Sequence, residues 1–208
     1  MPEISAQLVK QLRERTGAGM MECKTALTEA KGDLAEAEVI LRKRGIAKAG
    51  GKATRATHKG LVSTYIHPGG QLGVLVEVNC ESDFVARTED FINLTRDLAM
   101  HIAAANPLFL RKEDVPNEVI EKEQEIARDR AINEGKPQRA HDAIVKGRLD
   151  KYFEEVCLLE QPFVKEATLT IDQLIKTKIA KLKENITVAR FSRYKVGDGP
   201  TALTPAAE

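Results

Sequence analysis

Thiols and imidazoles are the side chains with which this chain could best do chemistry, and their spacing argues against it. Cys23, Cys80 and Cys157 are odd in number and scattered, with no CxxC pair, so the expectation is free thiols in a reducing compartment rather than a disulfide framework. Cys80 ends an apolar run and is followed by Glu81 and Asp83. A cysteine nucleophile needs a positive neighbour to favour its thiolate, and acidic neighbours oppose one, so Cys80 reads as a semi-buried structural thiol. His58, His67, His101 and His141 lie far apart. No zinc site is expected from them, although folding can gather distant ligands. No Ser/His/Asp arrangement announces itself. Gly17-Ala18-Gly19 has the composition of a phosphate loop but joins two helical segments, follows no strand and lacks the GK[ST] ending, so it reads as an interhelical turn.

Two segments have the character of contact surfaces. In Glu81-Ser82-Asp83-Phe84-Val85-Ala86-Arg87 an aromatic sits among opposite charges at a strand-to-helix connection. Residue type alone favours an inward Phe84 that covers the sheet. The alternative is an exposed anchor for a partner's cleft. Leu12, Met20 and Met21 gather around the first helix–turn–helix, either as the core of a small domain or as a methionine-rich contact face.

The elements that must hold these residues can be read from capping and periodicity. Ser5 reads as an N-cap, Ile4 and Val9 have staple spacing, and Leu8, Val9 and Leu12 share a helical face. A second helix runs from Met20 to about Ala30, closed by Lys31-Gly32. A third starts at Asp33, with Glu36 at capping-box spacing, and Gly45 is expected just past its end. Residues 46–59 read as a linker or a loosely held helix. Leu61–Ile66 and Val74–Val78, joined through Pro68-Gly69-Gly70, read as a β-hairpin. Thr88 caps a helix that Asn106-Pro107 stops. Residues 113–160 are helical and highly charged, broken at Pro137, with a thin stripe of Val115, Val119, Ile126 and Ile132, then a fuller one of Ile144, Val145, Leu149, Tyr152, Phe153 and Val156. Thr170 and Gln173 open a last helix, and Thr187–Val196 reads as a third strand, since two strands alone are marginal. The fold class is therefore α+β: a helical domain at 1–45, a linker at 46–59, an α+β core at 60–196 with an antiparallel sheet of about three strands, and a frayed tail at 197–208.

Composition narrows the partners. With 42% hydrophobic residues in a chain of 208, there is material for a real core. Thirty-two basic residues against 31 acidic ones give no field for a dedicated nucleic-acid binder or a polybasic membrane anchor. Aromatics at 4%, with no tryptophan, leave little for base stacking. No run approaches the ~20 apolar residues of a membrane span. Met-Pro-Glu-Ile-Ser has neither a basic nor an apolar leader region, so no secretory signal is expected.

The contact segments also carry a family resemblance. Leu8-Val9-Lys10-Gln11-Leu12-Arg13-Glu14-Arg15-Thr16-Gly17-Ala18-Gly19-Met20-Met21-Glu22-Cys23-Lys24 resembles the N-terminal signature of bacterial translation elongation factors Ts, and Val76-Glu77-Val78-Asn79-Cys80-Glu81-Ser82-Asp83-Phe84-Val85-Ala86 resembles their second signature. Gln161-Pro162-Phe163-Val164-Lys165 and Glu184-Asn185-Ile186 look like the C-terminal part. The similarity covers nearly the whole chain in order and matches the short members, with one core module and no long inserted coiled coil. Ser82 stands where the family usually has threonine, and His58-Lys59 precedes Gly60 where an acidic residue is common.

The resemblance implies a guanine-nucleotide exchange factor for elongation factor Tu, cytoplasmic, not an enzyme, without cofactor or metal, and without direct contact to nucleic acid or membrane. It implies a ubiquitin-associated-like N-terminal domain that docks through Leu12, Met20 and Met21. It also implies that Ser82, Asp83, Phe84 and Val85 intrude beside the partner's Mg²⁺ and nucleotide. A homodimer is expected, because short members lack the second core module; the strand Thr187–Val196 or the stripe Tyr152, Phe153 and Val156 would furnish the isologous contact. Two rival readings stand beside it: an adaptor that binds through residues 1–45, and a thiol enzyme built on Cys80.

Overall fold

The computed structural model of the chain describes residues 4–198. The expected α+β class is what it shows: helices with a three-stranded sheet, and a second sheet of two short strands. The helices α1 (Ala6–Thr16), α2 (Met20–Glu29) and α3 (Leu34–Gly50) come first. They are followed by the hairpin β1 (Lys59–Ile66) and β2 (Leu72–Cys80), the single turn α4 (Asp83–Ala86) and the long α5 (Glu89–Ala105). Next come α6 (Asn117–Asn133), α7 (His141–Val156), the strands β3 (Pro162–Phe163) and β4 (Glu166–Thr170), then α8 (Ile171–Leu182) and β5 (Ile186–Lys195). The larger sheet has the order β1-β2-β5, so the last strand joins the hairpin as expected. Among the described residues no helix is long and apolar enough to cross a membrane.

By its contacts the chain forms two compact units. Among the described residues the first comprises Ile4–Leu61, Val78–Leu94 and Asp172–Thr187. Its N-terminal helices are set by their caps: Ser5 accepts from the Leu8 N–H, Gly17 closes α1 in a left-handed conformation, and Asp33 accepts from the Glu36 N–H. Val9, Leu12, Cys23, Ala26, Leu27 and Ala37 make their core, with Ile4, Leu8 and Ile40 packed on it. The third helix does not stop at Gly45 but runs on to Gly50. Gly45 serves close approach instead of termination, since a Cβ there would lie 2.9 Å from the Ala180 Cβ of α8. Asn185 donates from its side chain to the carbonyls of Ala53 and Arg55, which ties part of the 46–59 stretch to the same unit.

Among the described residues the second unit comprises Val62–Glu77, Thr95–Ile171 and Val188–Asp198. Here α6 and α7 pack as a helical pair. On α6 the buried residues are Ala127 and Ala131, while Ile126 and Ile132, expected in the stripe, are exposed. Small residues let two helices approach closely, and the buried positions here are alanines beside the exposed isoleucines. Phe153, Val115 and Cys157 form a cluster with Tyr152 and Val156 against it. The β3–β4 pair was not expected, because a two-residue strand beside Lys165 and Glu166 leaves no periodicity to read. Buried His101 bonds Gln161 at 2.9 Å. The expected tail lies outside the described residues from 199 on.

Candidate interaction site

The strand β2 delivers the segment that carries the unusual side chains. Its even positions Val74, Val76, Val78 and Cys80 are buried, so the chain leaves the sheet with its inward face at Cys80 and must turn at once. Ser82 makes the turn. Its backbone is extended, and its Oγ accepts the Val85 N–H at 3.3 Å, capping α4. Thr88 repeats the device for α5, its Oγ accepting the Phe91 N–H at 3.4 Å.

In the single turn of α4 the side chains divide sharply. Val85 and Ala86 are buried, whereas Phe84 is 77% exposed and Asp83 faces solvent. The covering role that residue type assigns to Phe84 falls to Val85, so the inward orientation is corrected. Leaving a phenylalanine ring in water forgoes about 1.5–3 kcal/mol of burial. Asp83 is paired with Arg87 at 2.8 Å, one turn along, an exposed pair of small energetic consequence.

The segment is pinned from behind. Glu184, between α8 and β5, accepts the Ser82 N–H at 3.0 Å and the Ser82 hydroxyl at 2.6 Å. Glu81 returns the exchange by accepting the Asn185 N–H at 2.6 Å. The Cys80 thiol donates to the Ser82 carbonyl at 3.1 Å. Burial pushes this thiol's pKa up and the Glu184 carboxylate adds to the effect, so Cys80 is a buried, protonated, structural group. In the sequence, Glu184 and Asn185 stand out only through the family resemblance. Their role has no local signal, because the hydrogen bonds span 102 and 104 residues.

At the N-terminal turn, Met20 and Met21 are 59% and 73% exposed. Leu12 is fully buried in the three-helix core and offers no surface; it supports the turn from below. Glu22 accepts the Gly19 N–H and pairs with Lys48 at 2.7 Å, fixing the start of α2. Hydrogen bonds from Lys48 and from that N–H hold the Glu22 carboxyl below its usual range. Beside Met21 lies a cleft of about 840 Å³ within the first unit. Its walls combine apolar residues such as Ala18, Leu41 and Ala180 with the Arg15–Glu38 ion pair and with Arg44, Lys178 and Lys181, which pair with Glu29 and Asp90. Among the described residues no group of three or more His, Cys, Asp or Glu is placed to hold a metal ion.

Comparison with known proteins gives a consistent likeness. The family described as Elongation factor TS matches residues 9–198. The chain is 70% identical to the Elongation factor Ts of Solibacter usitatus (strain Ellin6076), covering 100% of both chains. It is 63% identical to that of Koribacter versatilis (strain Ellin345), over 94% of this chain and 89% of the relative. It is 57% identical to that of Carboxydothermus hydrogenoformans, over 94% of this chain and 90% of the relative.

Proposed function

The chain belongs to the elongation factor Ts family, and from that premise we propose that it is the cytoplasmic guanine-nucleotide exchange factor of elongation factor Tu, acting in translation elongation. The observation that carries the mechanism is the exposed Phe84 on a one-turn helix held by buried neighbours and by Glu184. A rigidly mounted aromatic is the kind of side chain that dominates interface energetics.

The physical logic is linkage. A factor that binds nucleotide-free Tu more tightly than Tu·GDP must weaken GDP by the same factor. Mg²⁺ in a phosphate site demands near-ideal octahedral geometry. The Ser82–Val85 segment intrudes beside that site, and a small displacement of the metal's ligands loosens metal and nucleotide together. Phe84 supplies the wedge, Asp83 repositions polar groups of the partner, and Ser82 and Val85 mount them. No covalent bond is made or broken, so the protein is not an enzyme and needs no cofactor of its own.

The N-terminal helices, read as a ubiquitin-associated-like domain, dock through Met20 and Met21, with Leu12 propping the turn. We also infer a homodimer. On the outward face of the sheet, Val62, Ile66, Leu75, Tyr194 and Val196 are all exposed, beside the Glu77–Arg190 ion pair at 2.8 Å. A twofold contact between two such faces covers the apolar side chains isologously. This supports the strand rather than the stripe of Tyr152, Phe153 and Val156, whose Phe153 is already buried.

Stopped-flow release of fluorescent GDP from elongation factor Tu tests the function. The protein at micromolar concentration is expected to accelerate release by at least ~100-fold, which corresponds to a release barrier lowered by about 2.7 kcal/mol. An unchanged rate overturns the reading.

A further inference from the structure

We infer that Glu184 is a positioning residue of the exchange surface: it holds the Phe84 turn in its outward geometry through a reciprocal carboxylate clasp. The inference rests on the exchange reading above. Glu184 acts through Ser82. One oxygen takes the Ser82 N–H and the other its hydroxyl, so both donors of the residue that caps α4 end on one carboxylate. The Ser82 hydroxyl donates its proton to Glu184 and accepts the Val85 N–H with a lone pair, so one side chain couples the clasp to the turn. Charge-assisted bonds of this kind are shorter and stronger than neutral ones, and the hydroxyl bond at 2.6 Å has that length.

The opposite half of the clasp runs the other way, from the Asn185 N–H to Glu81. Residues 81 and 82 are therefore bonded to residues 184 and 185 by side chains from both sides. Asn185 is buried, and its amide spans to the Ala53 and Arg55 carbonyls. The backbone that presents Glu184 is itself unusual. Lys183 closes α8 in a left-handed conformation at φ 65, donating to the Ile179 carbonyl. This reversal aims the next side chain back at Ser82. A single-turn helix has too few internal hydrogen bonds to persist alone, so its order is imposed by the clasp and by buried Val85.

The consequence is a division of labour. Met20 and Met21 set how tightly the partner docks, while Glu184 sets how much of the Phe84 contact is realised once docked. Without the clasp the turn must be ordered at the moment of binding, and that entropy is taken from the exchange step.

The test compares Glu184→Ala, Phe84→Ala and the double variant, with fluorescent-GDP release from elongation factor Tu measured across factor concentration. Glu184→Ala is expected to lower the saturating release rate about 5- to 100-fold, the effect of losing two bonds to a charged acceptor, with the half-saturating concentration changed less than about threefold. Glu184→Gln keeps one acceptor and falls between. In the double variant the Glu184 effect largely disappears, because there is no ring left to position. Amide hydrogen exchange at Ser82 and Val85, read without any partner, speeds up at least about tenfold in Glu184→Ala, while amides in α2 and α7 keep wild-type protection. If Phe84→Ala leaves release unchanged, the wedge reading fails first. If Phe84→Ala slows release but Glu184→Ala does not, or the two effects simply multiply, the positioning role is overturned. A Glu184→Ala chain that loses protection throughout marks a fold-wide role instead and also overturns it.

Discussion

At His101 the hydrogen-bond network fixes a protonation state. Gln161 donates its amide to the Glu155 carbonyl at 2.7 Å, so its oxygen faces His101 Nε2, which must carry the proton. The other nitrogen, Nδ1, accepts the Val164 N–H at 3.4 Å. Burial holds the imidazole's pKa below 6.5, outweighing the bond to Gln161. The unfolded chain therefore binds the extra proton first, so the stabilising contribution is complete above about pH 6.5 and is lost as pH falls below it. In urea titrations between about pH 7.5 and about pH 5.5, the wild type is expected to lose more stability than His101→Gln, with a difference of at most about 1.4 kcal/mol per pH unit; parallel losses contradict the assignment. The thiols make a second residue-scale prediction. All three are buried, and burial with the nearby Glu160 pushes Cys157 up to about 11. Maleimide labelling of the folded protein near neutral pH is expected to be at least ~100-fold slower than of the unfolded chain. A folded Cys80→Ser variant is expected to keep its exchange rate within about tenfold. Fast labelling or a collapse of exchange revives the thiol-enzyme reading.

Elements were legible where the sequence encodes them locally and illegible where a distant partner decides. Ser5, Asp33, Thr88 and the Gly69-Gly70 turn lie where capping and turn chemistry put them, because each needs only neighbours within a few residues. Gly45 misled because glycine at a helix end and glycine at a helix crossing look alike in one dimension; the Ala180 Cβ that requires it is far along the chain. Phe84 and Val85 could not be told apart by type, since both are apolar and adjacent, and only the capping geometry of Ser82 decides which one turns inward. Gly60 gives a prediction at this scale. It sits in β1 at φ 155, and a Cβ there collides with the Val78 carbonyl oxygen and the Asn79 backbone. Gly60→Ala is expected to cost about 2–4 kcal/mol by urea denaturation, combining backbone strain with overpacking. A loss under about 0.5 kcal/mol, the ordinary surface range, contradicts the close approach.

For the whole molecule, 32 basic residues nearly balance 31 acidic ones and many of them pair on the protein's own surface, so on the proposed reading specificity falls to a few apolar side chains held outward. Two groups of them carry the account. The sheet-face group predicts assembly: the wild type is expected to scatter light as a dimer at tens of micromolar, a range in which typical homodimers persist, and Tyr194→Asp as a monomer, because it buries a charge at an apolar isologous contact. A wild-type monomer under those conditions counts against it. Phe84 carries the central claim, and one preparation of Phe84→Ala tests it most directly, with melting temperature and GDP release from elongation factor Tu read side by side. With 77% of the residue already exposed, melting is expected to move by no more than about 2 °C, while release slows about 10- to 1,000-fold, the worth of a hot-spot aromatic. A large drop in melting temperature with normal exchange per folded molecule would contradict the wedge.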